Sequence, residues 1–207
     1  MAFSNRAPPV PRAGLNTDRV VTGAAELADE VGLDQLTLAA LAARLGVRQP
    51  SLYKHVASSG ALQRLISMRG KAELGDVLGR AAIGRARDDA LVAMAHAYRA
   101  WALDHPGRYQ AAQRAETPGD VEYEAVARRT VEVVAAVMEG YGLDGDDAID
   151  AIRAYRAALH GFVSLEASGG FGFPASVDRS FGRLVHALVV ALSSWNDVSE
   201  PGREVPA

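Results

Sequence analysis

The stretch LADEVGLDQLTLAALAARLGVRQPSLYKHV, residues 27–56, decides the fold. Its apolar residues recur at steps of three and four, the spacing of a helix with one buried face. Thr37 is placed to cap a short helix over Leu38–Leu45, and Gly46 follows where a left-handed residue closes a helix. Only Val47 and Arg48 separate that glycine from a second helical segment, Gln49–Val56. Its first turn admits Pro50 because no amide donor is needed there. Two short helices joined by a glycine-containing turn form a helix-turn-helix. On the N-terminal side a helix is expected over Thr17–Val31, capped by Asn16 or Thr17 and stopped at Gly32, with Val20, Val21, Ala24, Leu27 and Val31 facing inward. On the C-terminal side Ser58 caps a long helix reaching about Ala82.

Beyond Gly84 lies a second layer of helical segments: Ala86–Asp104, Tyr109–Ala115, Val121–Gly140, Asp146–Ser168 and Val177–Trp195. The breaks between them, DHPGR, ETPGD, YGLDG and SGGFGFP, are rich in Gly, Pro or Asp. Alternating Val/Ile/Thr runs are absent. The expected fold is all-α with about nine helices, a three-helix helix-turn-helix domain followed by a helical bundle. Residues 1–14, with Pro8, Pro9 and Pro11, are read as a flexible arm and residues 196–207 as a flexible polar tail. The domains between them are expected at 15–70 and 71–195.

The chain has 207 residues and a net charge of -3, so its overall charge names no partner. It has no Cys, which excludes disulfides, thiolate metal sites and cysteine nucleophiles. The longest apolar run, Leu184–Trp195, contains His186 and falls short of the roughly 18 residues a membrane span needs. The N-terminal segment MAFSNRAPPVPRAG lacks the apolar core of a secretory signal. A cytoplasmic protein with no membrane partner is expected.

The distribution of charge is more informative. Residues 35–72 contain no acid but carry Arg44, Arg48, Lys54, Arg64, Arg69 and Lys71, or +6. Residues 76–207 carry 13 bases against 19 acids, or -6. A basic module on an acidic one suggests that the first meets a polyanion. In Gln49–Val56 the apolar Leu52 and Val56 lie four residues apart and face inward. Gln49, Ser51, Tyr53, Lys54 and His55 are left to face outward. Gln bonds adenine in a bidentate way, Ser serves base edges or phosphate, and Lys pairs with phosphate or guanine. Double-stranded DNA is therefore the expected partner.

These residues resemble the N-terminal domain of the TetR family of one-component transcriptional regulators, over roughly residues 15–70. The quoted stretch carries the likeness, above all GV, LY and HV in the turn and second helix. QP followed by a small hydroxyl residue and LY is also similar to the recognition helix of the family's namesake repressor. The resemblance implies Gln49, Pro50, Ser51 and Tyr53 as base, methyl and phosphate contacts, with Thr37 a phosphate contact. Two positions depart from it. Ala39 stands where the namesake has a base-reading Arg, and Ser59 where the family usually has a phosphate-gripping Lys, so the operator is expected to differ. Backbone affinity would then rest on Lys54, Arg48 and the helix N-terminus at Ser59. Arg6 and Arg12 of the arm are further basic groups.

The second half also resembles a TetR subgroup, in AYRAALHGFVSLEASGGFG with its His-Gly and Leu-Glu pairs, and in AYRAWALDHPGRY. Leu159 stands where that subgroup often has Trp. Ala151, Ala154, Ala158 and Gly161 form a stripe of small residues, and the last helix carries Phe181, Leu184, Val185, Leu188, Leu192 and Trp195 on one face. In the family the last two helices build a homodimer interface, which implies Ala158, Gly161, Phe181, Leu184, Leu188 and Leu192 as its members. Met94, Tyr98, Trp101 and Tyr109, with Val134, Met138, Tyr155, Leu159 and Phe162, form a set suited to an effector cavity. His160 and Glu166 are read as helix-packing groups.

No catalytic constellation emerges. Ser51–Lys54 fits S-x-x-K without its companion motifs, Gly170–Ala175 fits G-x-G-x-x-A but follows a helix, and the five His residues show no metal-ligand spacing. No cofactor or metal is expected. The reading is a ligand-responsive repressor released from a palindromic operator by a small molecule. The competing reading, prompted by Ala39 and Ser59, is a helical small-molecule-binding protein without specific operator recognition.

Overall fold

A computed structural model describes residues 14–114 and 118–195. Most of the expected arm, including Arg6 and Arg12, and the expected tail lie outside the described residues. Among those described there are nine α-helices, one 3-10 turn and no strand. The helices are α1 Thr17–Val31, α2 Leu38–Leu45, α3 Gln49–Leu52, α4 Ser59–Ala82, α5 Arg87–Asp104, α6 Pro106–Ala112, α7 Val121–Glu139, α8 Gly145–Ala167 and α9 Val177–Ser193, with the 3-10 turn at Leu33–Gln35. No described helix is long and apolar enough to cross a membrane.

Short polar side chains set the N-terminal boundaries. Asn16 Oδ1 accepts from Arg19 N at 2.8 Å, Thr37 Oγ1 from Ala40 N at 3.1 Å and Ser58 Oγ from Ala61 N at 3.0 Å. Gly46, at φ 65° and ψ 31°, closes α2 in the left-handed conformation and donates to Ala42 O and Ala43 O. Asn16, not Thr17, is thus the first cap.

Two helices differ from expectation. α3 spans Gln49–Leu52 rather than reaching Val56, and the chain leaves it through a turn at Tyr53–His55. Val56 must be buried while Ser58, two residues later, takes the extended conformation of a cap (φ -161°), so the chain has to swing out early. α6 runs over Pro106–Ala112 rather than Tyr109–Ala115. Pro106 presets its first turn, and Gly107 is helical rather than a break because α6 lies hard against α1. A Cβ at Gly107 would overlap the backbone of Ala28.

There are two cores. One gathers Val20, Ala24, Leu41, Leu52, Leu62 and Ile66 beneath the helix-turn-helix. The other is larger and includes Leu74, Leu91, Met94, Met138, Leu159 and Phe181. α4 is continuous through residue 70 and serves both, with Ile66 in the first and Leu74 and Leu78 in the second. α6 also bridges them, since Ala111 belongs to the first core and Tyr109 to the second. Arg108 fastens this seam. Its backbone N and Nε donate to the two carboxylate oxygens of Asp29 at 2.8 and 2.7 Å, and Nη1 donates to Glu73 at 2.7 Å.

Candidate functional site

The buried pair Leu52 and Val56, 0% and 3% exposed, pins the recognition segment to the first core. That leaves Arg48, Gln49, Pro50, Tyr53 and Lys54 exposed, with Ser51 and His55 half-buried. Thr37 and Ser59 are exposed at the N-terminal ends of α2 and α4. Thr37 Oγ1 is engaged as an acceptor by Ala40 N, which leaves its hydroxyl hydrogen available to a phosphate.

The basic block is less positive than its sequence. Arg44 is held by Glu30 at 2.6 Å and Glu26 at 3.2 Å, both on α1. Arg64 is bound by Asp120 and Glu122, and Arg69 by Glu73 and the more distant Asp18. Acids outside the block thus answer three of its six cations. The hydrogen bonds from Arg64 hold the Asp120 carboxyl at about 2, and those from Arg44 lower Glu30. Arg48 and Lys54 remain exposed on the recognition segment itself. Sequence reading missed this division because the partners of Arg44 and Arg64 lie from 14 to 58 residues away, and Glu73, four residues from Arg69, falls just outside the acid-free block.

In the bundle, a cavity of about 120 Å³ lies mainly between α4, α7 and α8, with Tyr98 of α5 and Ala112 of α6 completing its wall. Of the residues expected to line it, Tyr98, Val134, Tyr155 and Leu159 do so. Met94, Trp101, Tyr109 and Met138 are instead buried core, and Phe162 stacks on Phe171 and Phe181 with ring centroids 4.8 and 5.1 Å apart. The walls include residues not singled out from sequence: Lys71, Leu74 and Leu78 on α4, Ala127, Thr130 and Val131 on α7, and Ile152 and Arg156 on α8. A signal existed. Ala127, Thr130, Val131 and Val134 stand at i, i+3, i+4 and i+7, as do Ile152, Tyr155, Arg156 and Leu159.

A chain of polar groups runs from the cavity wall to α8. Tyr98 and Tyr109 hydroxyls are 2.9 Å apart, and Tyr109 Oη is 2.6 Å from His160 Nδ1. Burial and the nearby Arg156 lower the His160 pKa, keeping the imidazole neutral and Nδ1 able to accept from Tyr109. Burial pushes Tyr98 far above its usual range. Glu166 binds Arg99 at 2.5 and 2.7 Å, so it and His160 both serve helix packing.

The expected dimer set divides. Phe181 and Leu192 are 0% and 3% exposed and belong to the protomer's own core, a correction to their reading as an outward face. α9 is apolar around much of its circumference, and this side packs on α5, where His96 meets the Phe181 ring edge-on at 5.4 Å and Arg99 lies over it at 4.9 Å. Leu184, Leu188 and Ala158 are half-buried, and Gly161 is exposed. Ala154, Ala157, Gly161 and Leu165 of α8, with Ala187, Val190 and Ala191 of α9, are exposed as well.

A helix-turn-helix with an outward polar recognition segment, joined to a helical bundle around a cavity, defines a DNA-binding transcriptional regulator. Known proteins agree. Residues 20–58 match the family "Bacterial regulatory proteins, tetR family", and residues 91–188 match "Tetracyclin repressor-like, C-terminal domain". The chain is 46% identical over 158 residues to the uncharacterized HTH-type transcriptional regulator Rv0681 of Mycobacterium tuberculosis, covering 76% of this chain and 72% of that one. It is 36% identical over 163 residues to the uncharacterized HTH-type transcriptional regulator YobS of Bacillus subtilis, covering 78% and 84%. Among solved structures, regulatory protein SCO4313 superposes with a TM-score of 0.67 at 26% identity, over 83% of this chain and 94% of that one. The chain belongs to the TetR family and is not an enzyme.

Proposed function

We propose that this chain is a cytoplasmic, homodimeric repressor that leaves a near-palindromic operator when a small molecule enters the α4/α7/α8 cavity. The observation that carries the DNA half of this reading is the recognition segment. Leu52 and Val56 fix it while Gln49, Tyr53 and Lys54 stand exposed on the segment that would enter the major groove. In a dimer, two such segments would read major grooves about one helical turn, roughly 34 Å, apart. The small and apolar residues exposed together on α8 and α9 support pairing of two copies through those helices.

α6 supports the coupling. Its last residue, Ala112, and the adjoining Gln113 line the cavity, while Gly107 and Arg108 at its other end are locked to α1. A ligand that shifts α6 therefore shifts the DNA-binding head, and a coupling of about 1–3 kcal/mol suffices for a switch. The test is selection of bound duplexes from a random pool at two salt concentrations, with the mass in solution measured alongside. An enriched palindrome bound by a dimer is expected. Sequence-blind binding that vanishes with salt, or a monomer, refutes the reading.

A further inference from the structure

We propose that the effector is a neutral, compact apolar molecule about one ring in size, held by shape against Leu74, Val134, Ile152 and Leu159 and not by charge or hydrogen bonds. This deepens the proposed function and rests on the reading of the cavity as the effector site.

The cavity, at about 120 Å³, is close in volume to the roughly 150 Å³ apolar cavity that takes up one benzene molecule. Its inner wall is hydrocarbon, with Leu74, Leu78, Val134 and Leu159 between 1% and 7% exposed. Val131 and Arg156 also line the space but are exposed, which places its mouth between α7 and α8. Protein interiors hold few voids larger than a water molecule, so an opening of this size gains contacts when an apolar body fills it.

The hydroxyls of the wall have spent their protons within the protein. Tyr109 donates to His160, so Tyr98 donates to Tyr109 at 2.9 Å. Tyr155 donates to Leu91 O at 2.6 Å, and Thr130 donates to Lys71 O at 3.0 Å. The two cations of the wall are answered as well. Lys71 is engaged within the protein, its Nζ lying 5.3 Å from the centre of the Tyr123 ring. Arg156 donates to the Gln113 side-chain oxygen at 3.1 Å and is exposed to water, where a further charge adds little. Among the described residues no buried side-chain nitrogen or oxygen lacks a partner. A ligand carbonyl or carboxylate entering the space would shed its water and find no free hydroxyl donor, and an ammonium group would meet two like charges. A hydrocarbon gives up no hydrogen bond on entry and gains the apolar wall.

The test uses the full chain, calorimetry and four probes of similar size: ethylbenzene, benzamide, benzoate and benzylamine. Ethylbenzene should bind about tenfold or more tightly than each of the others, as expected when a polar group is dried without a partner, and should release a selected duplex. Ala127→Leu, which narrows the cavity from α7, should weaken ethylbenzene at least tenfold; Ile152→Phe fills it from α8 should the first variant fold poorly. Arg156→Gln should leave ethylbenzene within about twofold of wild type. Benzamide, benzoate or benzylamine binding as tightly as ethylbenzene overturns the proposal, and so does ethylbenzene binding that survives both filling variants. A polar or charged probe that alone binds and releases the duplex removes the neutral apolar class and leaves the effector-cavity reading standing. Ethylbenzene that binds without releasing the duplex removes the effector reading itself, and failure of every probe to bind removes both.

Discussion

Lys54→Ala and Arg44→Ala delete the same charge from the same basic block, yet the structure assigns them opposite consequences for DNA binding. Lys54 is exposed in the recognition segment, whereas Arg44 already holds Glu26 and Glu30 at 3.2 and 2.6 Å. A cation that neutralises one phosphate adds about 0.9 to the slope of log affinity against log salt. Loss of Lys54 from both protomers of a dimer should thus flatten the slope by about 1.8. Between 50 and 200 mM salt, a fourfold change, wild type should lose roughly twelvefold more affinity than the Lys54 variant. Arg44→Ala should leave the slope unchanged, because its charge is spent within the protein. Fluorescence anisotropy of a labelled duplex at five salt concentrations measures both slopes. The reasoning is refuted if Arg44→Ala flattens the slope as much as Lys54→Ala, for then the α1 carboxylates do not neutralise the block.

Phe181→Ala should cost about 3–5 kcal/mol of stability and leave the mass in solution unchanged, whereas Gly161→Arg, at an exposed α8 position, should split the proposed dimer and spare the protomer fold; thermal melts and sedimentation separate the two. Gly107→Ala should destabilise by about 1–3 kcal/mol, since the new methyl meets the Ala28 backbone, and a melt within a degree of wild type would disprove that close approach. Asp120 is held at about 2, below its ordinary 3.8, so its tie to Arg64 contributes fully above the ordinary carboxylate range and is lost as pH falls from about 4 through 2. Denaturant unfolding at pH 6, 4 and 3 should therefore show wild type converging on Arg64→Met as the solution is acidified; a gap that widens on acidification reverses the sign and rejects the account.

The fold was legible wherever a local rule decides structure. Thr37, Gly46 and Ser58 each act at their own backbone, so the ends of α2 and the start of α4 could be read from neighbouring residues. α6 could not be read in this way. Gly107 looks like a breaker unless α1 is known to press against it, and the backbone of Ala28 is 79 residues distant. The site divides similarly. The recognition segment is a run of neighbours whose inward and outward positions follow from Leu52 and Val56 alone. The cavity is assembled from five helices, and an aromatic residue looks equally suited to a core or to a wall until the placement of those helices is fixed. Met94 and Tyr98 stand one turn apart on α5, yet only Tyr98 reaches the cavity.

The same long-range contacts that sequence hides constrain how a signal can travel. α4 runs unbroken from the first core at Ile66 to the second at Leu74, so the DNA-binding head cannot turn as a separate body without moving the first half of that helix. α6 crosses α4 near Gly70, where an added Cβ would come within 2.7 Å of Arg108 O, and crosses α1 at Gly107. Both crossings are backbone to backbone, with no long side chain between them to deform and absorb a shift. Arg108 adds charged ties from α6 to Asp29 on α1 and Glu73 on α4. On the proposed function, a displacement of the α6 C-terminal turn by a bound effector would be passed to α1 and α4 together, and the orientation of α3, pinned to the same core through Leu52, would follow.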